Sequence, residues 1–138
     1  MTAKENKDEF DELFVEDRLD KKVVVDALKP YICFTSSGEI QYHKVYGNLS
    51  IPKKIVVQLL SNKVLVIKKI VEKEGVRRKE LIETIGSKEH TFDGQLYGPL
   101  KGIVKSDKGV LVIPNYNIHK AKSILDGEEK DVQRKRTK

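Results

Sequence analysis

Residues 77–113 read RRKELIETIGSKEHTFDGQLYGPLKGIVKSDKGVLVI, and the spacing of the apolar side chains in this stretch decides the fold class. Leu81, Ile82 and Ile85 share one face of a two-turn helix over 77–86. Gly86 stands at the position after a helix where a left-handed residue is wanted. A polar turn, Ser87 to His90, leads to Thr91, a candidate N-cap. Phe92, Leu96, Leu100, Ile103 and Val104 then recur at i, i+4, i+8, i+11 and i+12, the apolar stripe of a third helix. Lys105 to Gly109 make a turn into Val110 to Ile113, a continuous apolar strand stopped by Pro114.

Upstream lies the strongest helical signal. Ser50 is a plausible N-cap, Pro52 sits in the first turn where its missing N–H is harmless, and Ile55, Leu59, Val66 or Ile67, and Ile70 follow towards Gly75. Apolar residues cover so much of its circumference that this helix is expected to be the buried core element, although Ser61-Asn62 could break it. Before it, Tyr31 to Phe34 and Ile40 to Val45 flank the turn-forming Ser36-Ser37-Gly38 and read as a β-hairpin ended by Gly47-Asn48. Val23 to Leu28 is apolar and reads equally as helix or strand. After the strand, Ile118, Ala121, Ile124 and Leu125 mark a short closing helix over 117–125.

The 138 residues carry 27 Lys and Arg against 21 Asp and Glu, a net charge of +6. That balance suits a partner that is anionic. It is unevenly shared: residues 1–20 hold three basic and eight acidic side chains, a net of −5, which leaves +11 for the rest. The chain divides into an acidic arm over 1–20, a hairpin extension over 21–49, a core with its closing helix over 50–126, and a basic tail over 127–138. Both tails are expected to be disordered, the arm either lying over the basic body or standing free in solvent. Apolar runs such as Val64 to Ile67 end at lysines, far short of the roughly 18 residues that span a bilayer. No membrane association is expected. A polar, acidic start without a secretory pattern and the single Cys33 point to the cytoplasm.

Long helix, short helix, tight turn, third helix, basic turn and strand is an order that, from Ile51 to Asn115, resembles the winged helix-turn-helix superfamily. The likeness is carried by Leu81, Ile85 and Gly86, by Leu96, Leu100 and Ile103, and by Lys108-Gly109 before Val110 to Ile113. Gly94 to Leu100 followed by Ile113 to Tyr116, with Leu49-Ser50 opening the long helix, also looks like a group of small archaeal winged-helix proteins. The resemblance implies an α+β winged helix-turn-helix with an N-terminal β-hairpin and a short C-terminal helix. It also implies double-stranded DNA as partner and a role in transcriptional regulation. The third helix would enter the major groove, with the wing on the adjacent backbone or minor groove. Candidate DNA-contacting residues are Arg77, Arg78 and Lys79 at the start of the second helix, and Lys88, His90 and Thr91 at the turn. Gln95, Tyr97, Lys101 and Lys105 face away from the apolar stripe, and Lys108 tops the wing. Each could equally be an ordinary solvated side chain; their clustering on three consecutive elements favours the group reading.

Pro99 and the glycines Gly94, Gly98 and Gly102 disturb the third helix, since a helix interior loses about 1 kcal/mol at glycine and about 3 at proline. Either a smooth face admits a DNA backbone or partner helix, or the segment is a distorted turn. His43, His90, His119 and Cys33 lack the short paired spacings of a metal site, and the glycines lack the Gly-Lys-Ser/Thr of a phosphate loop. No cofactor is expected, and no enzyme activity. A protein-interaction adaptor is the competing function. The chain is also expected to form a homodimer through the hairpin or the closing helix, the alternative being that the hairpin packs on its own helical core.

Overall fold

The computed structural model describes residues 9–10 and 20–126. The expectations for the basic tail and for nearly all of the acidic arm lie outside them. The elements run α1 (Lys21–Leu28), β1 (Ile32–Phe34), β2 (Ile40–Tyr42), α2 (Lys44–Gly47), α3 (Ile51–Ile67), β3 (Val76–Arg77), α4 (Arg78–Ile85), α5 (Glu89–Leu96), β4 (Lys105–Asp107) and β5 (Val110–Val112). A 3-10 turn over Asn115–Asn117 then leads into α6, residues 118–126. The described residues form an α+β fold with two small antiparallel sheets, β1-β2 and β3-β5-β4.

Helix α3 is the axis of the core. Ile55, Val56, Val57, Leu59 and Leu60 are almost wholly buried, and α1, α4 and α5 pack around them. The helix continues unbroken through Ser61-Asn62. Ser61 returns its hydroxyl to the Val57 carbonyl at 2.7 Å, and Asn62 donates to the Lys73 and Glu74 carbonyls of the loop beyond the helix. It stops at Ile67, earlier than the expected Gly75. Lys69 takes the left-handed conformation at φ 62°, and the Ile70 and Lys69 amides close onto Leu65 and Val66 at 2.9 Å each. Lys63 is 3% exposed; its ammonium donates to Glu74 and, at 2.7 Å, to Asn115 Oδ1, tying α3 to the loop before β3 and to the turn after β5.

The undecided segment before the hairpin is helix α1. Asp20 accepts from the Val23 amide, and Val24, Ala27 and Leu28 go inward. The second strand is shorter than the sequence suggests, ending at Tyr42, after which Lys44–Gly47 coil into one helical turn and leave Val45 half exposed. Gly38, at φ 91°, lets the hairpin turn lie against Ile70, whose Cδ1 would sit 2.8 Å from any Cβ placed there. Ile32 is buried, and Phe34 and Ile40 pack against the core, so the hairpin is covered by its own helices. Leu125, with Ile118 and Ala121, is likewise buried within the chain.

The third helix departs most from expectation. Its N-cap position is Lys88, not Thr91, and α5 ends at Leu96. Residues 97–103 are a series of turns: the Lys101 amide reaches the Gly98 carbonyl around Pro99, and Gly102 sits at φ 82°. The apolar stripe is nevertheless inward, with Phe92 and Leu100 at 0% and Leu96 at 3% exposure. Asn117, itself buried, donates to the Gly102 and Ile103 carbonyls and so satisfies the backbone that the helix no longer does.

These left-handed positions give a paired stability prediction. Lys69→Gly removes the conformational penalty of a Cβ and should stabilise the fold by about 0.5 to 1 kcal/mol, whereas Gly86→Ala, at φ 78°, should lose about 1 kcal/mol. Urea midpoints at unchanged m-value check both, and a destabilised Lys69→Gly would contradict this reading of the end of α3.

Candidate nucleic-acid interface

Strand β3 delivers the chain directly into α4. Val76 pairs with Leu111 and Arg77 with Val110, while β5 pairs on its other side with β4 through Asp107↔Val110, Ser106↔Leu111 and Lys105↔Val112. Gly75 permits this approach, since a Cβ there would fall 2.1 Å from Val110 Cγ1. The β4–β5 connection is a two-residue turn with both residues at positive φ, Lys108 at 53° and Gly109 at 80°. Such a turn matches the right-handed twist of a hairpin, and it carries Lys108 to the tip.

Arg78 joins three elements. Its amide donates to the Gly109 carbonyl at 2.8 Å, which fixes the tip of the β4–β5 hairpin to the start of α4. Its guanidinium forks onto Asp93 of α5, Nε to Oδ1 at 2.9 Å and Nη2 to Oδ2 at 2.7 Å, and Nη2 also reaches Glu89 at 2.9 Å. Hydrogen bonding to Asp93, then to Glu89, strengthens the hold of the guanidinium on its proton, and the same contact pulls the Asp93 carboxyl below its ordinary value. Arg78 was expected to be a phosphate ligand. Its Nε and Nη2 are engaged by carboxylates, so in this structure Arg78 clamps α4 to α5 while it also lines the cleft described next.

Beside this junction Arg77, Lys79, Lys108, Gly109 and Val110 line, with Arg78, a cleft of about 420 Å³ that contains no carboxylate among its lining residues. The structure thus brings together three expected contacts, Arg77, Lys79 and Lys108, all exposed. Arg77 belongs to β3 and stands at the N-cap position of α4, so the helix starts one residue later than the sequence suggests. Lys105 lies on β4 with its ammonium 6.0 Å from the centre of the Tyr116 ring, and it lines a second groove with Glu74, Gly75, Asp107, Lys108, Val110 and Val112.

The remaining candidates do not line that cleft. Lys88, His90 and Thr91 are exposed around the start of α5, Gln95 is half-buried, and Tyr97 is 62% exposed at the end of the helix. Lys101 is exposed in the turn after Pro99, off the helix on which it was expected. Tyr116 and the carboxylates of the clamp were missed by sequence reasoning. No local pattern announces the pairing, because Asp93 lies on the next helix, 15 residues beyond Arg78.

The clamp has a pH signature. A carboxyl whose value is lowered by folding contributes stability that is complete above its ordinary value of 3.8 and is lost as the pH falls through the lowered value. Thermal melts between neutral pH and pH 2 should therefore show a steeper acid loss in the native chain than in Asp93→Asn, which should also melt lower at neutral pH. Superimposable pH curves would contradict the clamp.

Among the described residues no helix is long and apolar enough to cross a membrane, and no three His, Cys, Asp or Glu side chains are grouped to hold a metal ion. No family model, curated protein or solved structure matches the chain.

Proposed function

We propose that this chain is a winged-helix protein that binds duplex DNA and acts in transcriptional regulation. The observation that carries the reading is the carboxylate-free cleft in which Arg77, Lys79 and Lys108 converge from β3, α4 and the hairpin tip. Three cations from three elements around one concavity suit the spaced phosphates of a nucleic-acid backbone, which attract cations whatever the base sequence. The order α3, β3, α4, α5, β4, β5 and the sheet order β3-β5-β4 support the winged-helix part: a long helix, a helix pair joined by a tight turn, and a terminal hairpin as wing.

A second reading, a protein-interaction adaptor, is favoured by a different face. Tyr42 and Tyr46 stack with ring centres 4.5 Å apart, held by Gln58, which donates to both hydroxyls, and Lys54 lies 5.6 Å from the centre of the Tyr46 ring. Tyr42 is 45% and Val45 50% exposed, the aromatic and apolar character that protein interfaces favour.

Fluorescence anisotropy of the full chain on a labelled duplex separates the two. Three neutralised phosphates give a slope of log K against log salt of about −3, at roughly 0.9 per phosphate. A slope near that value supports the DNA reading. Absence of duplex binding at low salt, or affinity indifferent to salt, would overturn it and leave the tyrosine face as the working surface.

A further inference from the structure

We propose that the β4–β5 hairpin and the start of α4 carry the duplex, and that α5 does not read bases in the major groove, so that binding is tolerant of sequence. This rests on the DNA reading above and departs from the expectation that the third helix is the recognition element.

Helix α5 is poorly made for base readout. Its eight residues, about 12 Å at 1.5 Å per residue, contain no lysine or arginine and two carboxylates, Glu89 and Asp93. Glu89 is 70% exposed in the first turn, where it would meet incoming phosphate, and the Arg78 guanidinium that contacts the helix is held by both carboxylates. The chain that would continue the helix into a groove folds away instead as turns, with Leu100 and Ile103 turned inward.

The opposite holds at the hairpin. Its tip is only two residues wide, and Lys108 there keeps a left-handed backbone that glycine or asparagine would adopt more easily. On the α4 side the tip faces Arg77 and Lys79 across a cleft without carboxylates, while Asp107 and Glu74 line the other groove of the hairpin. A phosphate is therefore drawn to the α4 side, and Lys105 stands on the neighbouring strand. Contacts of this kind go to the backbone, which positions a duplex and carries no sequence information.

The test uses the full-length chain, two duplexes of equal length and unrelated sequence, and three variants with folding checked by circular dichroism. Lys79→Ala with Lys108→Ala should weaken binding at least about tenfold and reduce the salt slope by about two. Thr91→Ala with Gln95→Ala should stay within about threefold of the parent on both duplexes. Lys108→Gly relieves the backbone, so it should raise the melting temperature while lowering affinity; a melting temperature and affinity that fall together would mean that Lys108 acts through the fold and would count against the proposal. A loss through the α5 variant equal to that of the lysine pair, or a tenfold preference between duplexes that the α5 variant abolishes, would overturn it with DNA binding intact. If the parent binds neither duplex at any salt concentration, the DNA reading fails and this inference falls with it.

Discussion

Arg78 holds the working end of this molecule together. Its amide fastens the hairpin tip through Gly109, and its side chain fastens α5 through Asp93 and Glu89, so one residue sets the spacing of three elements. A forked, charge-assisted contact is directional where apolar packing is not. Leu81, Phe92 and Leu111, one from each of these elements, are buried in their common core, and the forked contact adds a fixed direction to that packing. The positions of Arg77 and Lys79 on one side of the junction, and of Lys108 on the other, follow from this geometry.

A second polar tie works from behind. The buried Lys63 ammonium reaches Glu74 just before β3 and Asn115 just after β5, which lie at the same end of this antiparallel pair, and ties that end to α3. Removing one partner from such a pair is costlier than never having built it, because the remaining charge stays buried. Arg78 thus fixes the elements that line the cleft, and Lys63 fixes α3 to the segments flanking β3 and β5.

Much of this was legible in the chain itself, for reasons particular to each element. Ser50 and Pro52 mark the start of α3, and the apolar residues around its whole circumference announce its burial. Gly86 marks the end of α4 through its left-handed φ. The third helix shows where such reasoning stops: Phe92, Leu96, Leu100 and Ile103 are all inward as their spacing demands, yet only the first two lie on a helix. Periodicity reports which side chains are buried and says nothing of the backbone hydrogen bonds that take them there. Pro99 and Gly102 decided those, with help from Asn117, 15 residues beyond Gly102. Arg78 was legible as a cation near the right place but not as a clamp, because its partners come from the next helix. Lys63 and Asn115, separated by 52 positions, leave no local signal at all.

The central claim is that the cleft framed by Arg78 is where an anionic backbone is gripped. It is tested most directly by following backbone amide resonances of the full chain during titration with a short duplex at roughly 50 mM salt, where phosphate contacts are strong. The account predicts that the largest shifts fall on Arg77, Arg78, Lys79, Lys108 and Gly109, with smaller ones along α5. Shifts centred on Glu89 to Leu96, or on the Tyr42 and Tyr46 face with the cleft silent, would contradict it.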